Sequence, residues 1–475
     1  MKQSKYILFS PVGMTDPISM IPDENGGKPI YDGSCLHIIR HYHPAKVYIY
    51  YTKEVEEREK KYHVFSKAIR HVSPECEIES ISSEIVEAHL YDEYLNNLPA
   101  CLSKIHAENP DTTILLNLSS GTPALKGIMA IMATEYPWCK GIQVSTPARK
   151  SNPRNKFPDE ERIRRLAENV DDKPGNAPNR CTEPALKMIH FYQLHQQLTS
   201  LIENYDYYGA SYVADSNRDL LDSEAVDLIK CCKLRVQLNI ESAKRVLPAE
   251  QRDKVFPLPE EQEKLVEHLL AMDIDVRQGN FSSFVLKITP FLSEFLYRYI
   301  LHNIDCPLEE SGAIVEEKGI RKIYNKIIEK EMPDLYKYLE DQVGKDNFYK
   351  GKKANPISPI FMWHILNYAM EENKAKDMEM HKRLMDVPLM RRAVNKNNSI
   401  MKKLNDLRNV TAHSIQDCDE NCIDGETGIK PQYMIDDFWD MLASLYGDSI
   451  KEQRHSYQKI NAQILKAIAS PRDAF

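Results

Sequence analysis

Five short apolar runs, separated by stretches of helical spacing, fill the first 150 residues and restrict the fold more than any other feature. The runs are Tyr6–Gly13, Ala45–Thr52, Cys76–Ile81, Thr112–Ser119 and Gly141–Ser145. They are rich in β-branched and aromatic residues, as strands are. Thr112–Ser119 (TTILLNLS) is nearly continuous Leu and Ile, the pattern of a strand covered on both faces. Helical periodicity lies between them, over Glu54–His71, Tyr91–Glu108 and Pro123–Glu135. Strand and helix alternating in this way predict a parallel, doubly wound α/β domain.

The texture then changes. Residues 148–184 carry five prolines, several Asn and mixed charges, which predicts a connector with one short helix. Beyond Pro184 no strand is expected. Ala185–Tyr205, Ser223–Val246 and Glu260–Ala271 space their apolar residues three and four apart. Phe284–Leu301 is apolar enough for a core helix, with Pro290 marking a kink or the true start. Ile400–Ala412 places Ile400, Leu404, Leu407 and Thr411 on one face, and Asp436–Tyr446 supplies another packing helix. The expected order is an α/β Rossmann-like domain over 1–180, an all-α spacer over 181–275 and an all-α domain over 276–475.

Composition excludes some alternatives. With 42% hydrophobic residues and a formal net charge of −8 over 475 residues, neither a disordered chain nor a wholly basic nucleic-acid coat fits. No apolar run approaches about 18 residues, so no transmembrane helix is expected. The first apolar run ends at Ser10-Pro11, too short for an export signal, and the ten cysteines show no dense framework. They read as reduced thiols in a cytoplasmic protein.

Two segments carry chemistry. In the first, LNLSSGTPALK (Leu116–Lys126), a buried strand ends in a turn of small residues and a helix follows. Thr122 suits the N-cap and Pro123 the first helical position. Free backbone N–H groups and the positive helix end then face the carboxyl edge of the sheet, where ligands of open α/β sheets bind. The loop after the first strand (SPVGMTDP, with Gly13, Thr15 and Asp16) reaches the same edge, where Thr15 and Asp16 are placed to bond a ribose or base. No dinucleotide fingerprint, P-loop or nucleophile elbow is present. A capped crossover helix without a ligand accounts for the same residues.

The second segment is LNDLRNVTAHS (Leu404–Ser414). It lies in a stretch, 381–413, that holds eight Lys or Arg against Asp386 and Asp406, a local charge of +6 in an acidic chain. Such a surface suits phosphates. Arg408 and His413 are the pair suited to cutting RNA without a metal. Imidazole moves protons near neutral pH, and guanidinium stabilises the charge on a pentavalent phosphorus. Positions five apart on a helix diverge by about 140°. Convergence therefore needs either a helix that ends before His413 or two copies meeting on a two-fold axis. A helix-end histidine beside a surface arginine accounts for the same residues. Cys35, His37, His41 and His43, and separately Cys418 and Cys422, are read as packing or surface residues and no metal site is expected.

Together, FSPVGMTDPI with LNLSSGTPALK resembles a CARF sensor domain, and LRNVTAHS resembles the Arg-four residues-His motif of HEPN ribonucleases. In that order, with a helical spacer between, the chain resembles the CRISPR-associated CARF–HEPN ribonucleases of type III-A systems over essentially its whole length. The resemblance implies a homodimer whose paired CARF domains bind a cyclic oligoadenylate, with hexa-adenylate favoured over tetra-adenylate. It implies that the ligand activates a composite HEPN site that degrades single-stranded RNA with no catalytic cofactor. By the same resemblance, Arg408 and His413 are catalytic, and Asn409 matches the polar residue that follows the arginine. Asp16, Asn117, Ser119, Ser120, Gly121 and Thr122 match the ligand-binding positions. Thr122 is the candidate for slow cleavage of the activator. The alternatives are a non-catalytic nucleotide sensor coupled to a helical dimerisation or nucleic-acid-binding module, and a HEPN toxin answering another nucleotide.

Overall fold

The computed structural model describes residues 5–13, 16–21, 27, 29–83, 85, 87–147, 158–173, 178–317, 320–343, 355–394, 399–414 and 418–469. These divide into two compact units, 1–193 and 194–475.

The first unit is built on a six-stranded sheet. Its strands are β1 (Tyr6–Pro11), β4 (Lys46–Tyr51), β5 (Glu77–Ser82), β6 (Thr113–Asn117), β7 (Cys139–Val144) and β8 (Cys181–Thr182), in the order β5-β4-β1-β6-β7-β8. Two short strands, β2 (Ile18–Met20) and β3 (Ile30–Asp32), form a separate hairpin. The five strands up to β7 are parallel and β8 runs antiparallel on the edge. Alternation along β1 explains the layers. Leu8 packs with the helices Ser34–Tyr42 and Val64–Val72 on one face, while Ile7 and Phe9 pack with Asn97–Glu108 and Pro123–Glu135 on the other. The chain builds outward from β1 to β4 and β5, then returns to add β6 and β7 on the other side. The order therefore switches between β1 and β6, and a crevice opens at their carboxyl ends.

Some local expectations need correction. The run Glu54–His71 is two helices, Lys53–Tyr62 and Val64–Val72, broken at His63 in left-handed backbone (φ 53°). The break is stabilised by Glu59, whose carboxylate accepts the Phe65 and Ser66 N–H groups at 2.8 and 3.0 Å. The run Tyr91–Glu108 is a single 3-10 turn, Asp92–Tyr94, followed by a helix from Asn97. Part of the connector lies outside the described residues; the rest holds the helix Asp159–Arg165, two 3-10 turns and β8.

The second unit is mainly helical and shares one hydrophobic core, from Leu194 to Ile468. The helix Phe281–Asn303 runs through its middle against Glu260–Arg277, Pro359–Glu371 and Ile400–His413. This helix begins nine residues before Pro290 and continues through it. The proline ring removes one backbone hydrogen bond, but Phe284, Ile288, Phe291 and Phe295 are buried on either side and hold the helix together. Against the expectation of no strand after Pro184, a small sheet occurs here: β9 (Ile314–Glu317), β10 (Ile320–Ile323) and β11 (Asn355–Pro356). Buried Ile314 and Ile323 anchor it, and charge pairs on both faces tie its strands, Lys322 with Glu317 (2.7 Å) and Arg321 with Glu316 (3.5 Å). Strands this short and charged have no apolar run to betray them.

Candidate functional site

The crevice at the β1/β6 switch is a cavity of about 680 Å³. Its walls come from the first loop (Gly13, Asp16), the hairpin (Met20, Asp32), the β6 turn (Ser119 to Thr122) and the end of β7 (Val144 to Pro147). Lys126 and Arg180 add cations.

The β6 turn is organised as its residues suggest. Gly121 has φ +94°, and a Cβ there would meet Pro11 and Leu125 at 3.2 Å, so glycine suits the position. Thr122 caps the helix Pro123–Glu135, its Oγ1 accepting the Leu125 N–H at 3.3 Å and donating to the Ala88 carbonyl at 2.6 Å. Ser119 Oγ accepts the Val144 N–H at 2.7 Å. Ser120 Oγ donates to Asp16 Oδ2 at 2.5 Å, and that oxygen also accepts the Gly13 N–H at 3.0 Å. Burial pushes the Asp16 carboxyl above its ordinary range, against the Ser120 and Gly13 hydrogen bonds and the nearby charges of Arg162 and Arg58.

Asn117 is placed differently from the rest. It is fully buried and does not line the cavity. Its amide donates to Ser10 Oγ and Ser34 Oγ, both at 2.9 Å, and its carbonyl accepts the Ser119 N–H at 3.0 Å. Every polar atom of the side chain is engaged inside the fold, so it supports the turn from behind. The structure thus brings Gly13, Asp16, Ser119, Ser120, Gly121 and Thr122 to one cavity; Thr15 lies outside the described residues.

Beside the cavity, Asp32, His37 and Asp171 place their ligand atoms within 4.8 Å of one another. The chain's own cations already occupy that corner: Arg40 bonds Asp32 at 2.7 Å and Arg180 bonds Asp171 at 2.8 Å. His37 Nε2 accepts the Arg180 N–H at 3.0 Å, and its Nδ1 lies 3.0 Å from Arg180 Nη2 and 3.5 Å from Asp32. Burial opposes ionisation of Asp32, yet hydrogen bonds from His37, Arg40 and Asn169 outweigh it and hold the carboxyl down at about 2. This network ties the connector to the hairpin and to the helix Ser34–Tyr42.

In the second unit, Arg408, Asn409 and His413 lie on the helix Ile400–His413, hereafter the motif helix. Ile400, Met401, Leu404 and Leu407 bury its inner face, which leaves Asn409 and His413 exposed and Arg408 half-buried. Arg408 Nη1 donates to Asn409 Oδ1 at 3.2 Å, and Arg408 Nε is buried with no partner among the described residues. The helix runs through His413, so it does not end early to turn the imidazole toward Arg408. Within one chain the two side chains point about 140° apart.

Residues 75–181 match the Cas_Csm6 CARF domain, 185–236 the Csm6 6H domain and 247–465 the Cas_Csm6 HEPN domain. The CRISPR system endoribonuclease Csm6 of Mycobacterium tuberculosis (strain ATCC 25618 / H37Rv) is 30% identical over 317 residues, covering 66% of this chain and 72% of the relative. The chain belongs to the Csm6 family. The Csm6 endoribonuclease of Enterococcus italicus is 23% identical over 416 residues, 86% of this chain and 88% of its own. A solved structure of Enterococcus italicus Csm6, bound to cyclic hexa-2'-fluoro-hexa-dAMP, superposes with a TM-score of 0.61. It covers 97% of this chain and 99% of its own at 20% identity, a likeness of fold. The Csm6 membership and the CARF-then-helical-HEPN order agree with the resemblance read from the two motifs.

Sequence reasoning passed over Lys126 and Arg180 in this Csm6 cavity. Lys126 stands one turn into the helix capped by Thr122, so the cap itself was a signal for it. Arg180 comes from the connector and no local pattern marks it. Among the described residues no helix is long and apolar enough to cross a membrane.

Proposed function

We propose that this chain is a cytoplasmic endoribonuclease of type III CRISPR antiviral defence, switched on by a cyclic oligoadenylate held in the crevice of its CARF domain. The observation that carries the reading is the motif helix, which exposes His413 and Asn409 beside a half-buried Arg408. The relatives' name of endoribonuclease supports it, as does the ring bound to Enterococcus italicus Csm6. The working division is 1–180 as sensor, 181–275 as spacer and 276–475 as nuclease.

The chemistry needs no metal. A 2'-hydroxyl gives its proton to a base and its oxygen attacks the adjacent phosphorus. The bond from phosphorus to the 5'-oxygen breaks, and an acid protonates that leaving oxygen. A 2',3'-cyclic phosphate and a 5'-hydroxyl result. His413 serves as the proton-transfer group, and Arg408 faces the non-bridging oxygens. Because one uninterrupted helix splays these side chains, two chains related by a two-fold axis supply the convergent set, and the active species is the homodimer. DNA lacks the attacking group and is not cut.

In the CARF cavity, Lys126 and the backbone N–H groups of the β6 turn meet the phosphates, and hydroxyls of the turn meet ribose or base. A ring of six adenylates is favoured over a ring of four. Thr122 is the residue proposed to take part in slow cleavage of the activator. Its hydroxyl is held by Ala88, so contact with the ring accompanies release of that bond.

The test is RNA cleavage in EDTA with cyclic tri-, tetra- and hexa-adenylate tried separately. His413→Ala should abolish cleavage and leave affinity for cyclic hexa-adenylate within about twofold. Normal cleavage by that variant sinks the catalytic assignment. No turnover by the native chain with any ring favours the non-catalytic sensor.

A further inference from the structure

The structure narrows the basic stretch 381–413 to a few available cations. Arg383 is paired with Asp448 at 2.7 Å and Arg391 with Asp386 at 2.8 Å. Arg392 donates to the carbonyl of Gly428 at 2.8 Å. Lys396 lies outside the described residues. Lys402 is exposed and makes no ion pair among the described residues, although Asp406 stands four positions on, where a helical pair would form. An unpaired ammonium next to an available carboxylate is a cation free to take another anion.

Its place on the helix gives it meaning. At about 100° per residue, Lys402, Asn409 and His413 fall within about 20° of a common line, with Asn405 between that line and Arg408. Lys402, Asn409 and His413 lie off the buried face formed by Ile400, Met401, Leu404 and Leu407, whereas Arg408 falls between Met401 and Leu404 at its margin. At about 1.5 Å per residue, Lys402 is some 16 Å along the helix from His413, a distance an extended RNA strand covers in a few nucleotides.

We infer that this stripe is a substrate track, in which Lys402 holds a backbone phosphate of single-stranded RNA a few nucleotides from the bond being cut. The inference rests on the proposed nuclease reading and adds to it a binding residue outside the Arg-His motif. Lysine suits the task because a point charge on a flexible stem grips a phosphate without fixing the base. The track therefore adds affinity that is blind to sequence.

Two substrates separate this from a structural role. One is a dinucleotide carrying only the scissile phosphate; the other is an oligoribonucleotide long enough to span the stripe. On the long substrate, Lys402→Gln should raise KM roughly tenfold with kcat little changed, and lower the salt dependence of KM by about 0.7 in log–log slope. On the dinucleotide it should change nothing, and Lys402→Arg should restore the long-substrate KM. Equal effects on both substrates, or none on the long one, overturn the track. Binding of a single-stranded DNA of the same length reads the stripe without cleavage. Its weakening by Lys402→Gln in a chain that cuts no RNA would uphold the track while refuting the nuclease reading.

Discussion

Replacing Asn117 by alanine separates two roles that the sequence alone could not tell apart. If Asn117 contacts the ligand, its loss weakens binding and leaves the free protein intact. If it braces the turn, the free protein suffers first. The geometry gives the second answer. Three hydrogen bonds disappear, two donated to Ser10 and Ser34 and one accepted from the Ser119 N–H, at a fully buried position. At about 1 kcal/mol net for each bond, with the Ser119 N–H left unpaired, the cost comes to about 3 kcal/mol. For a unit of this size, that corresponds to a fall of roughly 6–12 °C in its melting transition. The assay is calorimetry of the ligand-free protein alongside titration with cyclic hexa-adenylate. Asn117→Ala should lower the first transition and weaken binding together, with saturating ligand recovering part of the loss in melting temperature. A variant that melts like the native chain yet fails to bind would refute the brace and restore Asn117 as a ligand contact.

Two further outcomes follow from the same structure. In Gly33→Ala the new Cβ would lie 2.5 Å from the Pro17 carbonyl oxygen and 2.8 Å from Asp16 Oδ1. The first loop must move, and affinity for cyclic hexa-adenylate should fall at least tenfold at a stability cost of about 1–3 kcal/mol; unchanged affinity by titration calorimetry would show that this loop does not shape the site. Burial, with Asp440 and Asp436 nearby, pushes the Asp437 carboxyl up to about 6 against a hydrogen bond from the Leu389 N–H. Its folded value exceeds its unfolded one, so the native state holds the extra proton between about pH 4 and 6, and stability from this group falls as pH rises through that window. Asp437→Asn should therefore gain about 2 kcal/mol at pH 7 and little at pH 4, read from urea unfolding at both. A gain equal at both would rule out the carboxylate as its source.

Periodicity and capping made much of this molecule legible. The buried run TTILLNLS and the Thr-Pro helix start located the β6 turn and its helix, because burial on both faces and an N-cap each leave a local mark. The break at His63 left none: its cause is Glu59, reaching forward to the next helix, in a stretch without Gly or Pro. Pro290 misled in the other direction, because buried aromatic packing outweighed a local penalty. Asn117 sits beside a turn that faces a cavity, and its direction depends on Ser10 and Ser34, which are distant in the sequence. Arg408 and His413 were legible as a spacing, yet only the uninterrupted helix shows that they leave it about 140° apart.

The β6 turn also explains how a ligand could act as a switch instead of merely filling a hole. Its three hydroxyls are all engaged, and each ties the turn to a different segment: Ser119 to the end of β7, Ser120 to the first loop through Asp16, and Thr122 to the stretch before Asp92 through Ala88. A ring that takes a hydrogen bond from Ser120 or Thr122 must displace the acceptor each now serves and release the segment it held, whereas Ser119, which accepts from Val144, keeps its own proton to donate. Rigid acceptance of the ring would move nothing, however tightly it bound, since a ligand shifts an equilibrium only through its differing affinity for the two states. Lys126 and the turn's backbone amides other than that of Ser119, which Asn117 holds, provide affinity that does not depend on rearrangement. On the proposed reading, the cavity therefore separates its tasks: charge holds the ring, and exchange of hydroxyl partners converts holding into movement of the loops around it.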